Sequence, residues 1–494
     1  HPMPYLDQGE FYSEFGNYKV TITTPENYVV AATGELQNLA EKEWLKTRAS
    51  FDWQAGKERS IDGKLLSASK IFPPSAVRIK KLEYRQDNVH DFAWFADKRF
   101  IVNEDTCLLA SGRVINIITY YTPLHKSIWN ESVAYTKREI RHYSSLVGEY
   151  PYNIAQVVQG PQSFGGGMEY PTITIISPTN NKADLDQTIA HEVGHNWFYG
   201  ILGTNERDYP WMDEGINSYF EDKYSKAHYG EADKSQQIAF ESISIEKIDQ
   251  PVATVSGQFS EINYNLVAYY KTAEWFRYLE SEIGKEVLAN AIKEYYRRWQ
   301  FRHPQPEDFK KVIEEVSGRK LDNEFSLLDK KGILPNQQRK GTKIFVLLKP
   351  KGLNSYLKKP SKELITFGSV IGANSYDKFM AGAFITNIKL PPSRLQYMLS
   401  ALYATGSKKM TGTGFITQSF YPDRLFRKID VGISGSTFTV DQFTSSDGEK
   451  LFMGMKKIVP GIRFTFKEKS PRSSFHRYIQ FKTFLFNEDG LRFY

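Results

Sequence analysis

His191-Glu192-Val193-Gly194-His195 sets two imidazoles four residues apart with a carboxylate beside the first. On a helix, positions i and i+4 share one face, so both rings can address a single ion while Glu192 takes a proton from a water that the ion polarises. The chemistry of such a trio is hydrolysis. Only 9 histidines occur in 494 residues, so a chance match is uncommon, and its bland form would be a pair of surface histidines. A catalytic zinc needs a third protein ligand and an open position for water. Glu214, 18 residues past His195, opens the segment Asp213 to Glu221 and can return to the ion if a hairpin of helices joins the two segments. Taken alone it serves equally well as first-turn helix charge.

The run His-Glu-x-x-His, 18 residues, then Glu resembles the gluzincin aminopeptidases, the aminopeptidase N family. Asn196-Trp197-Phe198 is similar to that family's polar-Trp-Phe continuation, and Trp211-Met212-Asp213-Glu214-Gly215 to its Trp-x-x-Glu-Gly element. Upstream, Gly166-Gly167-Met168-Glu169-Tyr170 resembles its Gly-x-Met-Glu-Asn element, with Tyr170 where asparagine is usual. The resemblance implies one zinc ion held by His191, His195 and Glu214, with Glu192 as general base. It also implies that Gly166, Gly167, Met168 and Glu169 bind substrate, Glu169 by gripping a free α-amino group. The family's Tyr-x-Lys element fits Tyr269-Tyr270-Lys271 and makes Tyr269 the donor to the oxyanion. The implied activity is removal of N-terminal residues from peptides. A catalytically weak, binding-only relative and an endopeptidase with the same ligands are the competing readings.

Positioning these groups takes a helical block. Val133 to Leu146, Leu185 to Tyr199, Ile216 to Ala227 and Ala268 to Ile283 have helical spacing, and Thr172 to Ile176 reads as a strand among them. Before about residue 125 the chain is short alternating runs such as Tyr18 to Thr23, Tyr28 to Ala32 and Val114 to Tyr121. The expected organisation is multidomain α+β: an N-terminal β domain over 1–125, truncated at its start, a thermolysin-like peptidase domain over 126–335, and a C-terminal β region over 336–494 after a polar linker, Asn336 to Thr342.

Ile429, Val431 and Ile433 alternate with polar residues, as do Ile462, Phe464 and Phe466. Asp377 to Asn387, Leu395 to Tyr403 and Gly412 to Phe420 have the 9 to 11 residues of a membrane-crossing strand. The tail resembles bacterial outer-membrane barrel domains, with a soluble β-sandwich as the alternative. That implies outer-membrane lipid contact and a periplasmic peptidase domain. From Leu364 onward 18 basic residues face 9 acidic ones, so the +7 net charge belongs to the tail. Without basic helical clusters or a nucleic-acid motif, a nucleic-acid partner is not expected. A single cysteine, Cys107, excludes an internal disulfide. The chain opens at His1 without a signal peptide and reads as a fragment or processed product. Side-chain specificity and oligomeric state have no signal in the sequence.

Overall fold

The computed structural model describes residues 8–489 apart from 10, 51–71, 231–234, 338–341, 347–362, 390–391, 423 and 468–474. The centre of the expected linker therefore lies outside the described residues. Contacts divide the chain into two compact units: His1–Ala232 with Val252–Ser256 and Ala268–Asp329, and Asp233–Pro251 with Gly257–Val267 and Lys330–Tyr494.

The first unit opens with β1 (Gly16–Pro25), β2 (Val29–Ala32), β3 (Glu35–Leu36), helix α1 (Leu39–Thr47), β4 (Ile79–Val89) and β5 (Trp94–Asp97). They form a three-stranded sheet, β1-β4-β3, and a two-stranded one, β2-β5, around Val29, Val30, Leu82 and Tyr84. The next two strands, β6 (Ile101–Leu108) and β7 (Val114–Tyr121), pair onward into the helical block. There they join β8 (Ile154–Gln159), β9 (Gly167–Met168) and β10 (Ile173–Ile176) in a five-stranded sheet ordered β6-β7-β8-β10-β9. Every residue of β8 and β10 is buried, as strands covered on both faces must be. The short β9 runs antiparallel to β10 and forms the edge.

After the short helix α2 (Lys126–Trp129), helices α3 (Ser132–Leu146), α4 (Lys182–Gly194) and α5 (Glu214–Tyr229) follow the predicted periodicity. Asn181 caps α4 by accepting from the Asp184 N–H, satisfying one of the free amides of the first turn. The predicted helix through Tyr199 stops five residues earlier than expected. Its chain turns at Asn196 to bury Trp197 and Phe198, and Tyr199 takes φ +93°.

The second unit includes α6 (Ser235–Ile245) and α7 (Glu261–Asn263); Tyr264–Lys271 then winds as a π-helix, and the chain from Ala268, with α8 (Thr272–Ile283), belongs to the first unit. Where the spacing predicts one regular helix, an expanded turn intervenes, a form that concentrates at functional sites. The tail is one sheet of nine strands: β11 (Thr342–Val346), β12 (Glu363–Asn374), β13 (Lys378–Thr386), β14 (Leu395–Ala404), β15 (Met410–Phe420), β16 (Phe426–Thr444), β17 (Lys450–Phe466), β18 (Tyr478–Lys482) and β19 (Leu485–Glu488). Neighbours pair in sequence order, and β19 shares β17 with β18. The expected barrel is not formed: among the described residues nothing joins β11 to β18. Alternation fixes which face is apolar, whereas closure depends on strand number and shear, which it does not encode.

Candidate metal centre

α4 delivers His191 and Glu192 from its last turn, with His195 as its C-cap, and α5 delivers Glu214 from its first residue. The two helices cross so closely that a Cβ on Gly194 would stand 2.3 Å from Asn217 Oδ1. Asn217 Nδ2 in turn donates to the His191 carbonyl at 2.8 Å, tying α5 to the turn that carries the ligands.

The Nε2 atoms of His191 and His195 face each other at 3.2 Å. Glu214 Oε2 lies 3.4 Å from the first and 3.2 Å from the second. For an ion bonded at zinc distances the edge of a coordination tetrahedron is about 3.3 Å, so the three atoms have the spacing of one zinc ion's ligands. They are not a hydrogen-bond network. His191 Nδ1 already pairs with Glu221 Oε2 at 3.0 Å and His195 Nδ1 with Asp213 Oδ1 at 2.7 Å, which leaves both Nε2 lone pairs pointed at each other and at a carboxylate oxygen. Buried Glu214 Oε2 makes no hydrogen bond among the described residues. A central cation resolves these contacts, so the residues fit zinc.

Burial drives the Glu192 carboxyl up, against the pull of His191 and His195, to about 7. That suits a group that must take and return a proton near neutrality. Burial would raise Glu214 too, but His195 and His191 overcome it and hold the carboxylate well below its usual range. Glu169 is raised well above that range, by burial first and then by Glu192 and Glu214 against His195.

The edge strand β9 brings Gly167 against Glu192, and Glu169 follows after Met168, buried. Gly166 has φ +86°, a backbone state that glycine adopts without strain. At Gly167 an added Cβ would fall 2.1 Å from Glu192 Oε1, so glycine here lets the Glu192 carboxylate keep its place. The Tyr269 hydroxyl donates to Glu214 Oε1, and its ring stacks on His191 with centroids 5.9 Å apart. The structure therefore gathers His191, Glu192, His195, Glu214, Tyr269, Gly167 and Glu169 around one centre, while Gly166 and Met168 are placed there only as chain neighbours of Gly167 on the edge segment. Sequence reasoning passed over Asp213 and Glu221 as partners of the histidines. Glu221 had a signal, since it follows Glu214 by seven residues and shares its helix face. Asp213 had only its place beside a ligand.

Over 191 residues the chain is 27% identical to leucine aminopeptidase 2 of Sclerotinia sclerotiorum, covering 36% of this chain and 31% of that protein. Leukotriene A-4 hydrolase of Xenopus laevis is 28% identical over 212 residues, 40% of this chain and 34% of that one. The chain thus spans about a third of the length of these relatives. Among solved structures, an M1 zinc metallopeptidase from Deinococcus radiodurans superposes with TM-score 0.48 at 16% identity, over 66% of each chain. Residues 132–327, which include every residue of the centre described above, match the model of the peptidase family M1 domain.

Proposed function

We propose that this chain is a zinc-dependent aminopeptidase that removes N-terminal residues from peptides. The observation that carries this is the zinc-spaced triangle of His191, His195 and Glu214 with Glu192 and the buried carboxyl of Glu169 beside it. Zinc held by the three ligands would supply a Lewis acid for the scissile carbonyl and for water. Glu192 takes the proton from that water and delivers it to the leaving amine. Glu169 meets the substrate's ammonium in a charge-assisted hydrogen bond, which leaves room for one residue before the scissile bond. The edge of β9 lines the substrate backbone, and the Tyr269 phenol donates to the oxyanion. Support comes from the matched domain and from relatives named as aminopeptidases.

The test is hydrolysis of fluorogenic aminoacyl amides beside their N-acetylated forms, with and without chelator. Chelator-sensitive cleavage of the free-amine substrates alone is expected. Equal cleavage of blocked substrates would make the protein an endopeptidase and remove the role of Glu169. No cleavage by folded, zinc-loaded protein would leave a binding function.

For the C-terminal sheet we propose contact with lipid, at the bacterial outer membrane, with the peptidase unit in the periplasm. Register puts Ile371, Phe379, Leu399, Tyr403, Ile416, Val431 and Ile433 on one face, each 43–72% exposed. Aromatic Phe379 and Tyr403 sit toward one end of this apolar band and Phe367 and Phe420 toward the other, rings whose apolar bodies suit a lipid surface. The turns at both ends are basic, with Lys378, Lys408 and Lys409 at one and Arg394, Arg424 and Arg427 at the other, which suits anionic headgroups. Flotation of the full chain with anionic phospholipid vesicles checks this, and a chain that stays monomeric and unbound without detergent refutes it.

A further inference from the structure

The two ligand histidines are backed by carboxylates in different surroundings. Asp213 and His195 are both excluded from solvent, with side chains 0% and 1% exposed. Glu221 and His191 are 28% and 16% exposed. The Asp213 pair is also the shorter, 2.7 Å against 3.0 Å. Asp213 Oδ2 makes no hydrogen bond among the described residues. Its carboxylate also shares with Glu169 and His195 a cluster whose donor atoms lie within 4.8 Å of one another, and it immediately precedes Glu214. The chain has thus buried an acid among other acids, where a neutral asparagine would accept the same hydrogen bond at lower desolvation cost.

We propose that Asp213 is a positioning residue for zinc: its buried charge locks His195 with the proton on Nδ1 and the Nε2 lone pair toward the ion, and it contributes more to zinc retention than Glu221 does. The argument rests on the zinc reading above. In a dry environment a charged acceptor polarises the imidazole more than a neutral one, and it admits only the N–H donor. An asparagine can turn its amino group to Nδ1 and stabilise the opposite tautomer. Glu221, partly hydrated, exerts a weaker pull on His191. The cost of burying Asp213 beside Glu169 and Glu214 falls most heavily on the metal-free protein, where the two ligand histidines take the place of the metal as the cations of the cluster.

Asp213→Asn, Glu221→Gln and the unaltered full chain should be compared for zinc affinity, by competition with a chromophoric chelator, and for thermal unfolding without metal. Asp213→Asn is expected to bind zinc about tenfold or more weakly while unfolding, metal-free, at the same temperature or higher. Glu221→Gln should lose less affinity. Asp213→Ala, without any acceptor, should bind zinc more weakly still. Unchanged zinc affinity in Asp213→Asn overturns the proposal, as does an equal loss in Glu221→Gln. A metal-free Asp213→Asn protein that is destabilised or unfolded also overturns it, because Asp213 would then be a structural residue. If the unaltered chain itself binds no zinc, the zinc reading falls along with this one, so the two failures are distinct.

Discussion

At Gly167 the edge strand passes so near the Glu192 carboxylate that a methyl group has no room. Gly167→Ala should displace Glu192 from its position; we expect kcat to fall by about tenfold or more with zinc content unchanged, because a misplaced base loses orientation before it loses binding. Glu192→Gln removes the proton acceptor at constant shape, and turnover should drop by roughly 10²–10⁴-fold while zinc stays bound. A separate pH effect belongs to His90, buried with its Nε2 at the carbonyls of Tyr199 and Gly200 and ringed by Phe15 and Tyr199. Burial, with His303 nearby, lowers it to about 4, while the two carbonyls pull the other way. The unfolded chain therefore binds the proton first as pH falls, so the contribution is complete above about pH 6.5 and lost progressively down through the folded value near 4. Urea unfolding should show the unaltered chain losing about 2 kcal/mol more than His90→Gln between pH 6.5 and 5; parallel curves would refute it. The ligands and base were legible in sequence because their roles follow from spacing on a helix. Asp213 and His90 were not, since an imidazole's partner is set by what the fold brings to it.

Among the elements, α3, α4 and α5 meet around Gly194. Tyr143 of α3 donates to Asn217 Oδ1 of α5 at 2.8 Å, and a Cβ on Gly194 would lie 2.6 Å from the Tyr143 hydroxyl. Gly194→Ala should therefore push α5 from α4, costing about 1–3 kcal/mol of stability. Because the ligands ride on both helices, zinc affinity should fall with it; chelator competition and thermal unfolding of the same sample check both. An unchanged zinc affinity would mean that the ligand turn moves as a rigid piece. Helices of this kind were legible from periodicity, with ends displaced where packing overrode it. The halt of α4 before Trp197 serves two buried rings, and the π-helical turn at Tyr264–Lys271 leaves the apolar pattern almost unchanged while rotating Tyr269. Strands β13, β14 and β15 match their sequence segments within two residues. Their common sheet does not close, because an alternating strand is written the same way for a barrel, a sandwich or an open sheet.

For the whole molecule, the division into two units gives each its own spectroscopic signal. All 8 tryptophans fall within the ranges of the unit that holds the metal centre. Tryptophan emission therefore reports that unit alone, whereas far-ultraviolet dichroism also records the nine-stranded sheet. That sheet buries few apolar side chains, Leu364, Leu402, Ala404 and Val459 among its described residues. Its backbone pairing is extensive, but the favourable term from removing apolar surface from water is small while one face stays wet. The two units should consequently answer to different additives. Zinc at 100 times its dissociation constant stabilises the folded state that binds it by about 2.7 kcal/mol, so a chelator should lower the tryptophan transition. The sheet's dichroism should instead hold to higher temperature in detergent micelles, which cover the face carrying Ile371, Phe379 and Leu399, and should ignore the chelator. A single transition in both signals, moved equally by chelator and by detergent, would show the two units unfolding as one and would remove the argument that lipid and zinc act on separate parts of this chain.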